Sequence, residues 1–171
     1  RMVDISDVSF HGDGGWRWNG GGVAFNQNYG FGLIDATALQ ALASETAGVS
    51  GTVQGTTGLV LVSQWIPDGY GPGITRRIAA SGYSQPCEEV QLSLHVSHAF
   101  RGDVVAHVTS PSGYTSRMMI QSLSDSGYGI TWTFVTNAFW GEDINGTWTV
   151  RVADLTPPDM GVWDGYTLTI R

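Results

Sequence analysis

One stretch of ten residues decides the fold: Asn145-Gly146-Thr147-Trp148-Thr149-Val150-Arg151-Val152-Ala153-Asp154. Its first two residues, asparagine followed by glycine, are the pair most typical of a tight β-hairpin turn. After this turn, Trp148, Val150 and Val152 alternate with polar residues, which is the period of a strand with one buried face. The stretch therefore predicts a hairpin that leads into a strand of an antiparallel sheet.

The same alternation recurs along most of the chain. Further strands are predicted at 59–65, 74–80, 90–96, 104–108, 115–120, 130–134 and 166–170. In the segment 130–134 the alternation places Trp132 on the apolar face, so we expect this side chain, like Trp148, in the core. About eight short strands without helical crossovers predict an all-β, jelly-roll-like β-sandwich with antiparallel pairing.

The first 58 residues have a different character. Tyr29-Gly30-Phe31-Gly32 is typical of a tight turn, and the apolar residues after it predict a helix over 33–45 with Asp35 in its first turn. The glycines that follow stand among serines and threonines, which is typical of a linker. We therefore predict an N-terminal unit at 1–47, a linker at 48–58 and the sandwich at 59–171.

The composition excludes several classes of function. The formal net charge is −7 and the chain contains no lysine, so it lacks the clustered positive charge that a nucleic-acid surface requires. No apolar stretch approaches the roughly 18 residues of a membrane-spanning helix. Cys87 is the single cysteine and is expected to be a buried structural thiol.

Five blocks of the C-terminal part resemble the P domain (Homo B domain) of kexin- and furin-like proprotein convertases. They are HAFRGDV at 98–104, SPSGYT at 110–115, FWGE at 139–142, NGTWTVRVAD at 145–154 and GYTLTI at 165–170. The N-terminal part, with Trp16, Asn19 and the YGFGLIDA stretch at 29–36, resembles the end of a subtilisin-like catalytic domain of the same family. The resemblance implies that the helix and the loop before it are left from an α/β protease domain.

The resemblance also implies a role without catalysis. Subtilisin-type chemistry needs an Asp, a His and a Ser on a Gly-Thr-Ser turn, and none of Ser6, Ser9, Ser44 and Ser50 has that context. We expect the chain alone to be inactive as a peptidase. Its expected partner is the catalytic domain of the same parent chain, which it would dock on and stabilise while tuning its calcium and pH dependence. The implied location is secreted or at the cell surface, and the composition suggests a bacterial source.

The main candidate for a metal site is acidic. Asp154, Asp159 and Asp164 flank a loop that contains two prolines and a glycine, and oxygen-rich loops of this kind can hold calcium. Calcium needs six to eight oxygen ligands, however, so the alternative is that these are solvated turn aspartates or that one is a buried partner for an arginine. His95 and His107, on the strands at either side of the 98–103 turn, are a weaker candidate for zinc because no further ligand is evident.

Two further motifs have competing interpretations. Arg101-Gly102-Asp103 could act in adhesion if it were an exposed loop tip, but within the resemblance it belongs to the fold, as do Trp148 and Asp154. The seven tryptophans could instead form a sugar-stacking platform, in which case the chain would be a carbohydrate- or protein-binding jelly roll unrelated to proteolysis. Two or three coplanar, exposed tryptophans would favour that alternative.

Overall fold

Two antiparallel sheets pack face to face in the computed structural model, which describes residues 15–43, 54–69 and 71–171. Their strands are β3 (Gly55–Thr56), β4 (Val60–Ile66), β5 (Ile74–Ala80), β6 (Val90–Ser97), β7 (Val104–Thr109), β8 (Thr115–Met119), β9 (Ile130–Thr136), β10 (Gly146–Asp154) and β11 (Gly161–Ile170). The four-stranded sheet has the order β5-β10-β7-β8, and the five-stranded sheet has the order β3-β11-β6-β9 with β4 also paired to β11. The predicted all-β sandwich is confirmed.

The core lies between the two sheets and follows the period of two seen in the sequence. Every second residue of β6, from Val90 to Val96, is buried, and the intervening residues are half-buried on the outer face. Trp148 of β10 is fully buried, and its ring meets Phe139 edge to face with centroids 5.1 Å apart. This geometry is a favourable one for an aromatic pair, so the two rings anchor the centre of the core.

The turn predicted at Asn145-Gly146 is not a tight hairpin. Gly146 begins β10, and the strand before it along the chain, β9, belongs to the other sheet. The Asn145 side chain instead pairs with the backbone of Tyr83, accepting from its N–H at 3.0 Å and donating to its carbonyl at 2.8 Å. The dipeptide therefore lies in the connection between the two sheets. Its asparagine hydrogen-bonds that connection to the segment before β6.

A short N-terminal segment precedes the sandwich. It contains a small hairpin of β1 (Arg17–Trp18) and β2 (Ala24–Phe25) and one helix, α1 (Ala36–Ala43). The helix begins at Ala36 and not at 33 as predicted, because Asp35 stands before it as its N-cap, with its carboxylate accepting from the Ala38 N–H at 3.0 Å. Residues 44 and 45 of the predicted helix lie outside the described residues. None of the helices in the described ranges is long and apolar enough to cross a membrane.

The predicted linker at 48–58 lies partly outside the described residues. Its last part is not a free linker, because Gly55 and Thr56 pair with the C-terminal end of β11. The Thr57 hydroxyl also accepts from the Leu168 N–H at 3.0 Å. The sandwich therefore begins a few residues earlier than the sequence suggested.

The prediction that Trp132 lies in the core is wrong. Its register opposite Leu94 places it on the inner side of the five-stranded sheet, as the alternation indicated. However, β9 is the last strand of that sheet, and Trp132 is 67% exposed there although Ile130 on the same face of the strand is buried. Alternation identifies the face of a strand, but not whether another layer covers that face.

The contrast between the two tryptophans gives a test of the core. Trp148→Phe removes the indole N–H that donates to the Ile144 carbonyl at 2.8 Å and leaves a void beside Phe139. We expect a loss of about 2–3 kcal/mol in unfolding free energy by denaturant titration. Trp132→Phe is the matched control and should change it by less than about 0.5 kcal/mol. Equal effects of the two substitutions would contradict this description of the core.

Candidate functional site

The N-terminal segment is bonded to one end of the sandwich through the buried side chain of Asn19. Its amide nitrogen donates to the carbonyl oxygens of Ala138 and Trp140 at 3.0 and 2.9 Å. Its oxygen accepts from the backbone N–H groups of Gly21 and Val23, within its own segment. One asparagine thus fixes the local turn and joins it to residues about 120 positions further along the chain.

Glu142 is the matching group on the sandwich. It is 1% exposed, and its two carboxylate oxygens accept separate hydrogen bonds, one from the Gly20 N–H and one from the Ser112 hydroxyl, both at 2.9 Å. A buried carboxylate is costly unless it is hydrogen-bonded, and bonds to an ionised acceptor are among the strong ones. Glu142 therefore links the N-terminal segment to the turn after β7.

Two glycines allow the backbones to come this close. A side-chain carbon at Gly20 would lie 2.5 Å from Cβ of Ser112, and one at Gly21 would lie 2.5 Å from the carbonyl carbon of Gly141. Neither separation is possible for real atoms, so the contact requires glycine at both positions. The interface is therefore shaped by direct backbone contact as well as by hydrogen bonds.

The interface extends to the neighbouring strand ends and affects two titratable groups. The Gln27 amide donates to the Ser116 hydroxyl at 3.2 Å, and that hydroxyl is 3.1 Å from the hydroxyl of Thr136. Burial, with a smaller contribution from the Glu142 carboxylate, raises the pKa of the Tyr114 hydroxyl. The same two causes raise the pKa of the Cys87 thiol to about 12, so this buried cysteine stays protonated.

The N-terminal segment also carries large apolar side chains that are exposed. Trp18, Leu33 and Ile34 are each more than 60% exposed, and Leu39 of α1 is 51% exposed. Large apolar side chains at this density are typical of a contact surface rather than of a solvent-facing loop. The segment thus bonds to the sandwich and also presents exposed apolar side chains.

The Arg101-Gly102-Asp103 triplet is a structural turn. It forms one 3₁₀ turn before β7, with Gly102 and Asp103 buried. Nε of Arg101 donates to both carboxylate oxygens of Asp125, at 3.0 and 2.9 Å, and a side chain at Gly102 would clash with the Ser122 carbonyl. Because Asp103 is buried, the triplet cannot be read as an exposed adhesion loop.

Asp154 is fully buried and has a histidine partner. Its carboxylate lies 2.9 Å from Nε2 of His98, which is also fully buried, and accepts from the Thr156 N–H at 3.1 Å. The other ring nitrogen of His98 accepts from the Phe100 N–H at 3.0 Å, so the proton of the ring is on Nε2 and is donated to Asp154. The sequence suggested an arginine as the partner of a buried aspartate, but the partner of Asp154 is the histidine His98.

The predicted calcium ligands are not gathered in one place. Asp154 ends β10 in one sheet, whereas Asp164 lies on β11 in the other and accepts from the Ser97 hydroxyl at 2.8 Å. Within the residues described, no group of three or more His, Cys, Asp or Glu side chains could hold a metal ion. The geometry gives no support to calcium shared by Asp154, Asp159 and Asp164.

The zinc alternative is not supported either, and two of the exposed tryptophans lie on different faces of one sheet. His95 and His107 lie on the outer faces of different sheets, so they cannot share a zinc ion. Trp65 is exposed on the outer face of the five-stranded sheet, whereas Trp132 is exposed at its inner side. These two rings cannot form one flat platform for a sugar.

Comparison with known proteins points to one family. The model of the proprotein convertase P-domain matches residues 87–170. Human neuroendocrine convertase 2 is 30% identical over 164 residues, covering 91% of this chain and 26% of the convertase. Proprotein convertase subtilisin/kexin type 6 of Rattus norvegicus is 31% identical over 153 residues, covering 82% of this chain and 16% of that protein. The chain thus spans about a quarter of the length of the first of these relatives.

A solved structure shows the same fold. The serine protease of Aeromonas sobria superposes with a TM-score of 0.76 at 21% identity, covering 91% of this chain and 33% of the protease chain. Since 91% of this chain is covered, the match extends beyond residues 87–170 into the N-terminal part. The likeness at this identity concerns the fold.

The pair of Arg101 and Asp125 gives a pH-dependent test. Hydrogen bonding to Arg101, then to the Gly127 N–H, lowers the pKa of Asp125 in the folded state. A lowered folded-state pKa adds stability above the unfolded-state pKa, and this stability is lost as the pH falls through the folded-state pKa. The melting temperature of Asp125→Asn should therefore lie below that of the unmodified chain at neutral pH and converge with it in acid. Arg101→Gln should behave alike, and a constant difference at all pH values would contradict this account.

Proposed function

Because residues 87–170 form a proprotein convertase P-domain, we propose that this chain is a non-catalytic module that docks on a subtilisin-like catalytic domain of its own parent protein and stabilises it. The N-terminal segment is, in this proposal, the end of that catalytic domain. The match to a convertase and the match to a serine protease each cover 91% of this chain, which supports this assignment for both parts.

One observation carries the proposal: Glu142 of the sandwich is buried against the backbone of Gly20. If residues 15–43 end the protease domain, the bonds made by Glu142 and Asn19 attach the sandwich rigidly to that domain rather than through a flexible tether. The exposed side chains of Trp18, Leu33 and Ile34 then face the remainder of the protease. Their burial there would add apolar contact at a rate of about 25 cal/mol per Å².

This arrangement explains how a module without catalytic residues can affect a protease. The last segment of a domain is prone to fray unless it is tied down. Here the segment is held by the sandwich and would also be held by the protease. Local opening of the protease terminus would then require breaking the contacts of Glu142 and Asn19, which raises its free-energy cost.

We extend the proposal to location and to solution conditions. Both classes of relative are proteases, and secretion or display at the cell surface is the location that we propose for the parent. We also propose that the module tunes the pH and calcium dependence of its protease. The pH effect is supported by the pair of Arg101 and Asp125, because hydrogen bonding to Arg101 lowers the pKa of the Asp125 carboxyl in the folded state.

Substitution of Glu142 tests the attachment. Glu142→Ala leaves the Gly20 N–H and the Ser112 hydroxyl without their acceptor, which should cost about 1–3 kcal/mol of local stability. We expect faster hydrogen exchange at Gly20 and Gly21 and faster proteolysis within 15–43, while exchange in β6 stays unchanged. Asn19→Ala should act alike from the other side. Glu142→Gln is the control, since its amide oxygen can still accept from Gly20.

In a parent protease that contains this module, Glu142→Ala should shorten the half-life of peptidase activity on heating. The KM should not change, because no residue of this interface is expected to touch substrate. Unaltered heat inactivation, despite increased exchange at Gly20 in the isolated chain, would mean that the attachment exists but does not stabilise the protease.

Calcium gives a separate test. Since the described carboxylates do not converge, we expect the melting temperature of the chain in calorimetry to be the same in EDTA and in millimolar calcium. The module's proposed effect on calcium dependence would then act through the catalytic domain. A rise in melting temperature with calcium that is abolished by Asp159→Asn would instead restore the acidic loop as a binding site.

A further inference from the structure

The last strand of the five-stranded sheet, β9, has an edge that no described strand covers, and Phe25 and Phe31 of the N-terminal segment line a groove together with its second half. One side of β9 pairs with β6 over seven consecutive residue pairs with no shift of register. Within the described ranges, no strand pairs with its other side. The sequence of β9, ITWTFVT, contains no charge and no proline. A straight, uncharged edge is a template for pairing with another strand, and natural proteins normally block such edges.

The other edges of the sandwich are blocked in the usual ways. The edge strand β5 carries the cations Arg76 and Arg77. The edge strand β8 carries Arg117 and has an irregular register against β7. In β4, Ser63 has a φ of 48° and the register against β11 is broken. Charges and bulges are the features that prevent edge pairing, so the absence of both in β9 distinguishes it.

The side chains of β9 match a second copy of themselves. In an antiparallel pair centred on Thr133, Trp132 of each copy lies opposite Phe134 of the other, and Thr131 lies opposite Val135. Aromatic pairs across strands are among the more stabilising ones. Trp132 is 67% and Val135 is 53% exposed in the single chain, so both have surface to bury.

We propose that β9 is a homodimerisation edge, through which two copies of this chain pair antiparallel about Thr133 and join their five-stranded sheets into one. The contact is isologous and therefore closes as a dimer instead of growing into a fibre. It involves residues other than Asn19, Gly20 and Glu142.

The area of the interface and the charge of the two copies set the expected affinity of the dimer. Pairing of one strand per copy buries an area at the small end of specific interfaces, so we expect a weak dimer. Each copy has a formal charge of −7, and the two charges repel each other. Because salt screens this repulsion and leaves the uncharged strands unaffected, association should strengthen as salt is added.

Sedimentation velocity of the whole chain tests the proposal between about 10 μM and about 1 mM. We expect a sedimentation coefficient that rises with concentration toward that of a dimer. Thr133→Lys and Thr133→Glu should each weaken association at least about tenfold, since they place like charges face to face at the centre of the pair. An equimolar mixture of the two variants should recover it, because Lys then lies opposite Glu.

Three more variants distinguish association through β9 from association through other surfaces. Trp132→Ala should weaken association through loss of the aromatic pairs. Ala79→Lys on β5 and Leu61→Lys on β4 are controls at other exposed positions and should have no effect. Thermal melts verify that each variant is folded, and Thr131→Lys replaces Thr133→Lys if the latter melts early.

The outcomes are distinct. Recovery of the dimer in the mixture of Thr133→Lys and Thr133→Glu supports pairing of β9 with itself. A chain that remains monomeric at every concentration and salt level overturns the proposal. Association that persists in both Thr133 variants, or that is lost with Leu61→Lys, also overturns it, because another surface would then be responsible.

Discussion

Burial of every second side chain between two sheets is the constraint on which this molecule depends. In the described part of the chain both layers are sheets, so each sheet buries mainly the face turned toward the other. Trp148 occupies the centre of that layer and Phe139 packs against its ring. Phe139 lies in the same turn as Trp140, Gly141 and Glu142, and the position of that turn sets where the N-terminal segment can bind. Core packing thus fixes the geometry of the interface.

The sequence predicted most of the strands because alternation is a local property. Residues 74–80 match β5 at both ends, and 115–120 differs from β8 by one residue. The errors of the predictions made from the sequence concern relations between distant residues. The exposure of Trp132 depends on what covers its face of the sheet, and the role of Asn145 depends on Tyr83. Neither is encoded in the neighbours of those residues along the chain.

The interface could be predicted only in part. The resemblance points to Asn19 and to the FWGE block at 139–142, but it assigns them to two different domains. Their direct contact spans about 120 residues of sequence, and no local pattern connects positions so far apart. The local sequence does not single out Glu142 as a buried acceptor, because the next residue, Asp143, is also acidic and is exposed. The acidic loop shows the opposite limit, since Asp154 and Asp164 are close in sequence but lie on strands of different sheets.

The buried thiol of Cys87 has a consequence for how the protein tolerates an oxidising environment. Its high pKa and its position under the turn of Gly141 and Glu142 keep it from exchanging with disulfides while the chain is folded. Once the chain unfolds, the thiol becomes an ordinary one and can cross-link to another molecule. Outside a reducing compartment, therefore, an unfolding event that would otherwise be reversible becomes permanent. The working lifetime of the protein is then set by its rate of unfolding rather than by its equilibrium stability.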